Sequence, residues 1–182
     1  KSMALRDYSK EFNAAMLSRI LDLREAINVP IGNVKENILS VNALFGPSSY
    51  VDLIHNVQLK STGADLSIAH PYEYDIILKK GNFKLSDINN LCPYDGKLYT
   101  IKMTGEEIQK MLSFSLYRFY NTLQTSNDPL LKYDEKKQML TEKCKALESV
   151  GGLRYNVHLN KMNKNDKLQI LSLTNGRAFD LK

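Results

Sequence analysis

Hydrophobic and polar positions alternate along this chain with two periods, and the places where one period gives way to the other divide it into short helical and extended pieces. Over residues 1 to 27, Tyr8, Phe12, Met16, Ile20, Leu23 and Ile27 recur every three or four residues, while Arg6, Asp7, Lys10, Arg19 and Asp22 fall elsewhere. That spacing predicts one amphipathic helix, closed by Pro30 and Gly32. Irregular alternation from Ile31 to Val41 predicts a single strand. Gly46-Pro47 then stops the chain, and Ser48 or Ser49 can accept hydrogen bonds from the first amides of a helix whose core-facing stripe is Tyr50, Leu53, Ile54 and Val57. Gly63 stands where a left-handed C-terminal cap belongs. His55 falls beside the stripe and reads as a structural histidine.

The most informative stretch follows, between Leu44 and Leu116. A short apolar strand from Leu66 to Ala69, a turn at His70-Pro71, a second strand from Tyr74 to Lys79 and a break at Gly81 succeed one another. Ser86 can cap a short helix through Leu91. Cys92-Pro93-Tyr94-Asp95-Gly96 contains the Asp-Gly pair of a tight turn. Leu98 to Met103 alternates as a half-buried strand. Thr104 with Glu107 three residues later forms a capping box for a helix that buries Ile108, Met111, Leu112, Ser115 and Phe119.

Residues 121 to 149 are polar and alternate in charge, which predicts a surface insertion with a turn at Asn127-Asp128-Pro129 and an exposed helix from Lys132 to Glu148. Gly151-Gly152 punctuates. Leu153 to Leu159 and Leu168 to Leu173 then read as a hairpin, and Asn175-Gly176 as a further hairpin turn leading to a strand at Ala178-Phe179 that is cut short.

Composition changes this picture little. At 182 residues and 43% hydrophobic content the chain can bury a core of its own. Its net charge of +5 comes from scattered residues, with no basic stripe of the kind that grips a nucleic-acid polymer. Cys92 and Cys144 stand 52 residues apart with no CxxC or His-spaced partner, and read as free structural thiols. No run approaches the ~18 apolar residues of a membrane span. There is no GxSxG elbow, no P-loop and no HExxH, and His55, His70 and His158 are far apart, so the residues supply no metal centre and no catalytic set.

The order of the pieces carries more than any one of them. Gly46-Pro47, the helix leading into Thr62-Gly63-Ala64-Asp65, the Gly81 break, Leu85-Ser86-Asp87-Ile88, Pro93-Tyr94, Met103-Thr104-Gly105-Glu106-Glu107-Ile108 and Val150-Gly151-Gly152-Leu153-Arg154-Tyr155 together resemble the C-terminal domain of the 5'-nucleotidase family, closest to its metallophosphatase-linked bacterial versions. The resemblance implies an α+β fold, a layered α/β/β/α domain with mixed sheets, over residues 29–182 and incomplete at its C-terminus, with residues 1–28 as the helix joining it to a catalytic domain. It further implies that an N-terminal metallophosphatase domain holds two divalent metal ions and cleaves the ester. This domain would then bind the nucleotide or nucleoside, in a periplasmic or cell-surface 5'-nucleotidase or 2',3'-cyclic-nucleotide phosphodiesterase. No cofactor is expected in this chain itself.

Carried over residue by residue, Tyr94 stands where the family places an aromatic ring against the base, with Asp95 and Gly96 shaping the loop. The family's Gly-Gly turn, whose arginine binds phosphate, corresponds to His70 through Asp75, with Tyr72 in the turn and Asp75 in the arginine's place. An aspartate there would repel a phosphate; Lys79 or Lys80 are the nearest cations in sequence. The second base-sandwiching aromatic and the Gly-Gly-Asp turn of the family would lie beyond Lys182. The alternatives are a non-enzymatic binding module that kept the fold without phosphate recognition, and a purely structural domain.

Overall fold

The computed structural model describes residues 2–92, 96–142, 147–161 and 167–182, with side chains in the first helix described at Lys10 and from Phe12 onward. In chain order it comprises α1 (Ser2–Ile27), β1 (Pro30–Val34), β2 (Ile38–Leu39), a 3-10 turn (Ser40–Leu44), α2 (Ser49–Thr62), β3 (Ser67–Ala69), β4 (Ile77–Leu78), β5 (Gly81–Lys84), α3 (Leu85–Leu91), α4 (Gly105–Phe119), β6 (Tyr133–Asp134), β7 (Met139–Leu140), β8 (Ser149–Gly151), β9 (Leu153–Val157) and β10 (Leu168–Leu173). The chain forms two compact units, one of residues 1–38 and 77–95, the other of residues 39–76 and 96–182.

In the first unit α1 runs where the apolar spacing places it, yet Phe12, Leu17, Leu21 and Leu23 on it are all half exposed or more. The region from Ile31 to Val41, expected to hold one strand, holds most of β1 and all of β2; β1 pairs antiparallel with β5, a strand the alternation did not announce. Gly81 opens β5 at φ +121°, a conformation that L side chains rarely adopt. The cap of helix α3 lies two residues before the expected Ser86: Lys84 occupies the cap position, and its amide donates to the Asp87 carboxylate at 2.8 Å. The expected strand from Tyr74 to Lys79 shrinks to β4.

The second unit contains the core. Leu44, Ile108, Leu112, Leu116, Phe119, Tyr120, Leu147, Val150, Leu153 and Leu168 form one buried cluster. Helix α4 supplies the largest share, and its start is the expected capping box, with Thr104 Oγ1 accepting from the Glu107 amide at 3.3 Å and Glu107 Oε2 accepting from the Thr104 amide at 2.8 Å. Helix α2 is capped as read, by Ser48 at one end and by Gly63 at φ +66° at the other. Its buried residues, however, are Tyr50, Val51 and His55, while Val57 is exposed. The helix turns toward β3 and β8, so the face that packs is rotated from the most hydrophobic stripe. β3 pairs antiparallel with β8, and β9 with β10 as the hairpin pattern requires. Asn175-Gly176 forms the expected further turn after β10, with Gly176 at φ +85° and the Leu173 amide donating to the Arg177 carbonyl.

Three expectations are corrected. Residues 132–142 form no helix: β6 and β7 make a hairpin, because Asp134 accepts from the amides of Lys136 and Lys137 and closes a turn there. Leu98–Met103 has strand-like alternation but joins no ladder among the described residues. Ala178-Phe179 likewise lies outside any strand.

Candidate functional site

The turn from His70 to Asp75 is held at both ends. At its start, β3 places Ala69 opposite Ser149 of β8, and Ser149 Oγ donates to the Ala69 carbonyl at 3.0 Å. The same hydroxyl lies 3.0 Å from His55 Nε2, while His55 Nδ1 lies 2.9 Å from Ser67 Oγ, which is 2.5 Å from Gln58 Oε1. His55, 6% exposed, thus ties α2 to both strands, and burial lowers its pKa below 6.5 against the opposing effect of Asp52. Gly151 lets the strand lie flat on the ring: a Cβ there would fall 2.5 Å from His55 Cγ. At the far end of the turn, fully buried Ser40 accepts from the Ile76 amide through its hydroxyl at 3.1 Å and donates its own amide to the Ile76 carbonyl at 3.0 Å.

Between these anchors Pro71 is fully buried, Tyr74 packs on the core, and Tyr72 is half-buried with His70 against its ring at 5.7 Å and 69°. His70 Nδ1 lies 3.7 Å from Glu148 Oε1. Glu73 and Asp75 are exposed. The turn is therefore an acidic edge tied at both ends, with the Tyr72 ring half-buried on it. Gly96 is exposed with open space around it. Tyr94 and Asp95 lie outside the described residues; of the other three expected binding residues, Tyr72 and Asp75 stand in this one turn and Gly96 in another segment. The serines and Gln58 that fix the turn were not singled out from sequence; the signal was present in Ser67, a polar residue at a buried register of an apolar strand.

A second feature lies beside β3. A groove of about 1000 Å3 has Leu66–Ile68, Leu98–Met103, Ile108, Val150, Leu173 and Ala178–Asp180 among its lining residues. Arg177 and Asp65 form an ion pair among its lining residues. Among the described residues no group of three His, Cys, Asp or Glu is placed to hold a metal ion, and no helix is long and apolar enough to cross a membrane.

Compared with known proteins, residues 30–181 match the family described as the 5'-nucleotidase C-terminal domain. A search of curated proteins finds no match. Among solved structures, the chain is similar to a 5'-nucleotidase candidate from Staphylococcus aureus, crystallised with alpha-ketoglutarate, at 15% identity and a TM-score of 0.66. The likeness covers 88% of this chain and 31% of that one, so this chain spans about a third of that protein's length.

Proposed function

From the premise that this chain belongs to the 5'-nucleotidase C-terminal domain family, we propose that it is the substrate-recognition domain of a 5'-nucleotidase or 2',3'-cyclic-nucleotide phosphodiesterase type metallophosphatase acting in nucleotide catabolism, at the periplasm or cell surface. The match over residues 30–181 carries this reading. In it, residues 1–28 link to an N-terminal metallophosphatase domain, whose divalent metals supply the activated water and the charge stabilisation on the phosphoryl oxygens. The work of this domain is to hold and orient the nucleoside, which contributes to rate through positioning.

Tyr94 is the proposed stacking platform for the base, with Asp95 and Gly96 forming its loop. Tyr72 offers a second aromatic face on a turn that is fixed at both ends. The turn does not favour phosphate. Glu73 and Asp75 are exposed on it and Glu148 lies beside His70 at its start, and a like-charge pair at ~4 Å repels by ~1 kcal/mol in water and ~4 kcal/mol near a protein surface. The same acidity favours the second reading, a binding module of this fold that takes nucleosides without gripping phosphate.

Titration calorimetry with adenosine and AMP on this chain, alone and joined to a metallophosphatase domain, tests both readings. Recognition of the nucleoside predicts adenosine binding that Tyr94→Ala weakens about tenfold, in line with ~1–3 kcal/mol per stacked base. AMP binding tighter than adenosine, reversed by no change at Asp75, would contradict the acidic-turn argument. Absence of binding for both ligands sinks the recognition role.

A further inference from the structure

We propose that His55, Ser67 and Gln58 form a proton relay. Uptake of a proton by the buried ring reverses the two hydrogen bonds on its Ser67 side and leaves its bond to Ser149, and with it the start of the His70–Asp75 turn, as it was. The contacts run in one line. Gln58 Oε1 lies 2.5 Å from Ser67 Oγ, Ser67 Oγ 2.9 Å from His55 Nδ1, and His55 Nε2 3.0 Å from Ser149 Oγ. The line ends on the Ala69 carbonyl, to which Ser149 donates. His55 is buried, so bulk water offers the ring no other partner, and the Gly151 backbone lies against the ring and holds it where it stands. A proton that arrives on Nδ1 is therefore answered by Ser67.

Two closed arrangements exist, and they differ in direction. With the ring neutral and its proton on Nε2, the donors run one way: Gln58 Nε2 to Ser67, Ser67 to Nδ1, Nε2 to Ser149, Ser149 to Ala69. With the ring charged, Nδ1 becomes a donor, Ser67 turns its hydroxyl to Gln58 Oε1, and the donors run outward from His55 on both sides. Each arrangement gives both ring nitrogens and both hydroxyls a partner, so neither strands a buried polar group. The passage between them takes one hydroxyl rotation and a half-turn of the Gln58 amide, whose two ends are alike in shape. Ser149 accepts from Nε2 in both, so Tyr72 is presented alike in both. The ionisable groups near the ring oppose one another: burial disfavours the charge, while Asp52, on the same helix, favours it. The elements packed on α2, which are β3, β8 and the 3-10 turn Ser40–Leu44, carry no ionisable side chain. Glu148, just before β8, lies against His70, and Tyr155 of β9 stands within the field of Asp52. The output is Gln58: half-buried on α2, it turns its carbonyl outward when the ring is neutral and its amide N–H groups outward when the ring is charged.

The test is NMR of the chain of residues 1–182 between about pH 8 and pH 5, following the His55 ring nitrogens, the Gln58 side-chain amide and the Ala69 carbonyl carbon. A His70→Asn background keeps the neighbouring ring from titrating at the same time. The expected result is a neutral ring protonated on Nε2 that gains its Nδ1 proton as pH falls. The Gln58 amide signals should move at the same midpoint, while the Ala69 carbonyl, which reports the Ser149 bond, holds its position. Gln58→Met takes the acceptor from Ser67 in the charged arrangement only, and should weaken proton binding at His55 about tenfold, a midpoint about one pH unit lower. If that variant does not fold, the shared midpoint of His55 and Gln58 in the unsubstituted network decides. A neutral ring protonated on Nδ1, Gln58 signals indifferent to the His55 midpoint, or an unchanged midpoint in Gln58→Met would overturn the relay. So would an Ala69 carbonyl that moves with His55, since the turn would then feel the proton. A ring still neutral at the pH where the fold is lost would overturn it as well, since the second arrangement would then never form.

Discussion

His55 shows how much one residue settles. Ser149 commits its hydroxyl proton to the Ala69 carbonyl, so it can only accept from His55 Nε2. If Ser67 likewise donated to Gln58, both ring nitrogens would face acceptors and the imidazole would have to be charged. Burial opposes that charge. The consistent arrangement is a neutral ring accepting from Ser67 at Nδ1, with the Gln58 amide turned so that its nitrogen donates to Ser67, since the two ends of an amide are interchangeable in shape. The pH consequence has a definite sign. The unfolded chain protonates His55 near 6.5 and the folded chain at lower pH, so between these the unfolded state binds more protons. The stabilisation is complete above about pH 6.5 and declines as pH falls below it. Urea midpoints from pH 8 to pH 5 should show this decline, and His55→Gln should flatten it. Gly151→Ala should cost about 1–3 kcal/mol by the overpacking it forces on the ring, read in the same denaturation experiment.

Elements were legible in the sequence where a local rule sufficed. The capping box at Thr104 and the caps of α2 depend only on residues three or four apart, and both stand as read. Thr104→Ala should cost about 1 kcal/mol, and Leu112→Ala, at a position with no exposure, about 2–5 kcal/mol, in thermal or urea unfolding. Elements were misread where partners decide. Leu98–Met103 has the period of a strand, but a strand is completed by a neighbour, which periodicity does not provide. The charged run from Lys132 has helical composition, yet Asp134 closes a turn with nearby amides and the hairpin prevails. The burial of Val51 and His55 in place of Val57 has the same origin: tertiary contact, not the hydrophobic stripe, chose the face of α2.

At the scale of the whole molecule, the family was legible because seven short signatures occur in a fixed order, whereas the bonds that fix the turn were not: the roles of Ser40, Ser67 and Ser149 depend on residues up to 94 positions away. Burial is uneven between the two units. The core cluster lies in the second, whereas Val29, Ile31, Ile77, Leu85 and Ile88 of the first remain exposed, as does the apolar side of α1. Hydrogen exchange should therefore find α4 the slowest segment and α1 close to unprotected; equal protection of the two would contradict this distribution. The insertion after α4 is organised differently again. Asp128 accepts from Gln124 and Thr125, Asn121 clamps the carbonyls of Pro129 and Leu131, and the β6–β7 hairpin closes on itself. Because those bonds lie within the loop, its tip at Glu135–Lys137 is a place where the polypeptide could be opened, lengthened or fitted with a fluorescent label or affinity handle, with the core and the aromatic turn left as they are.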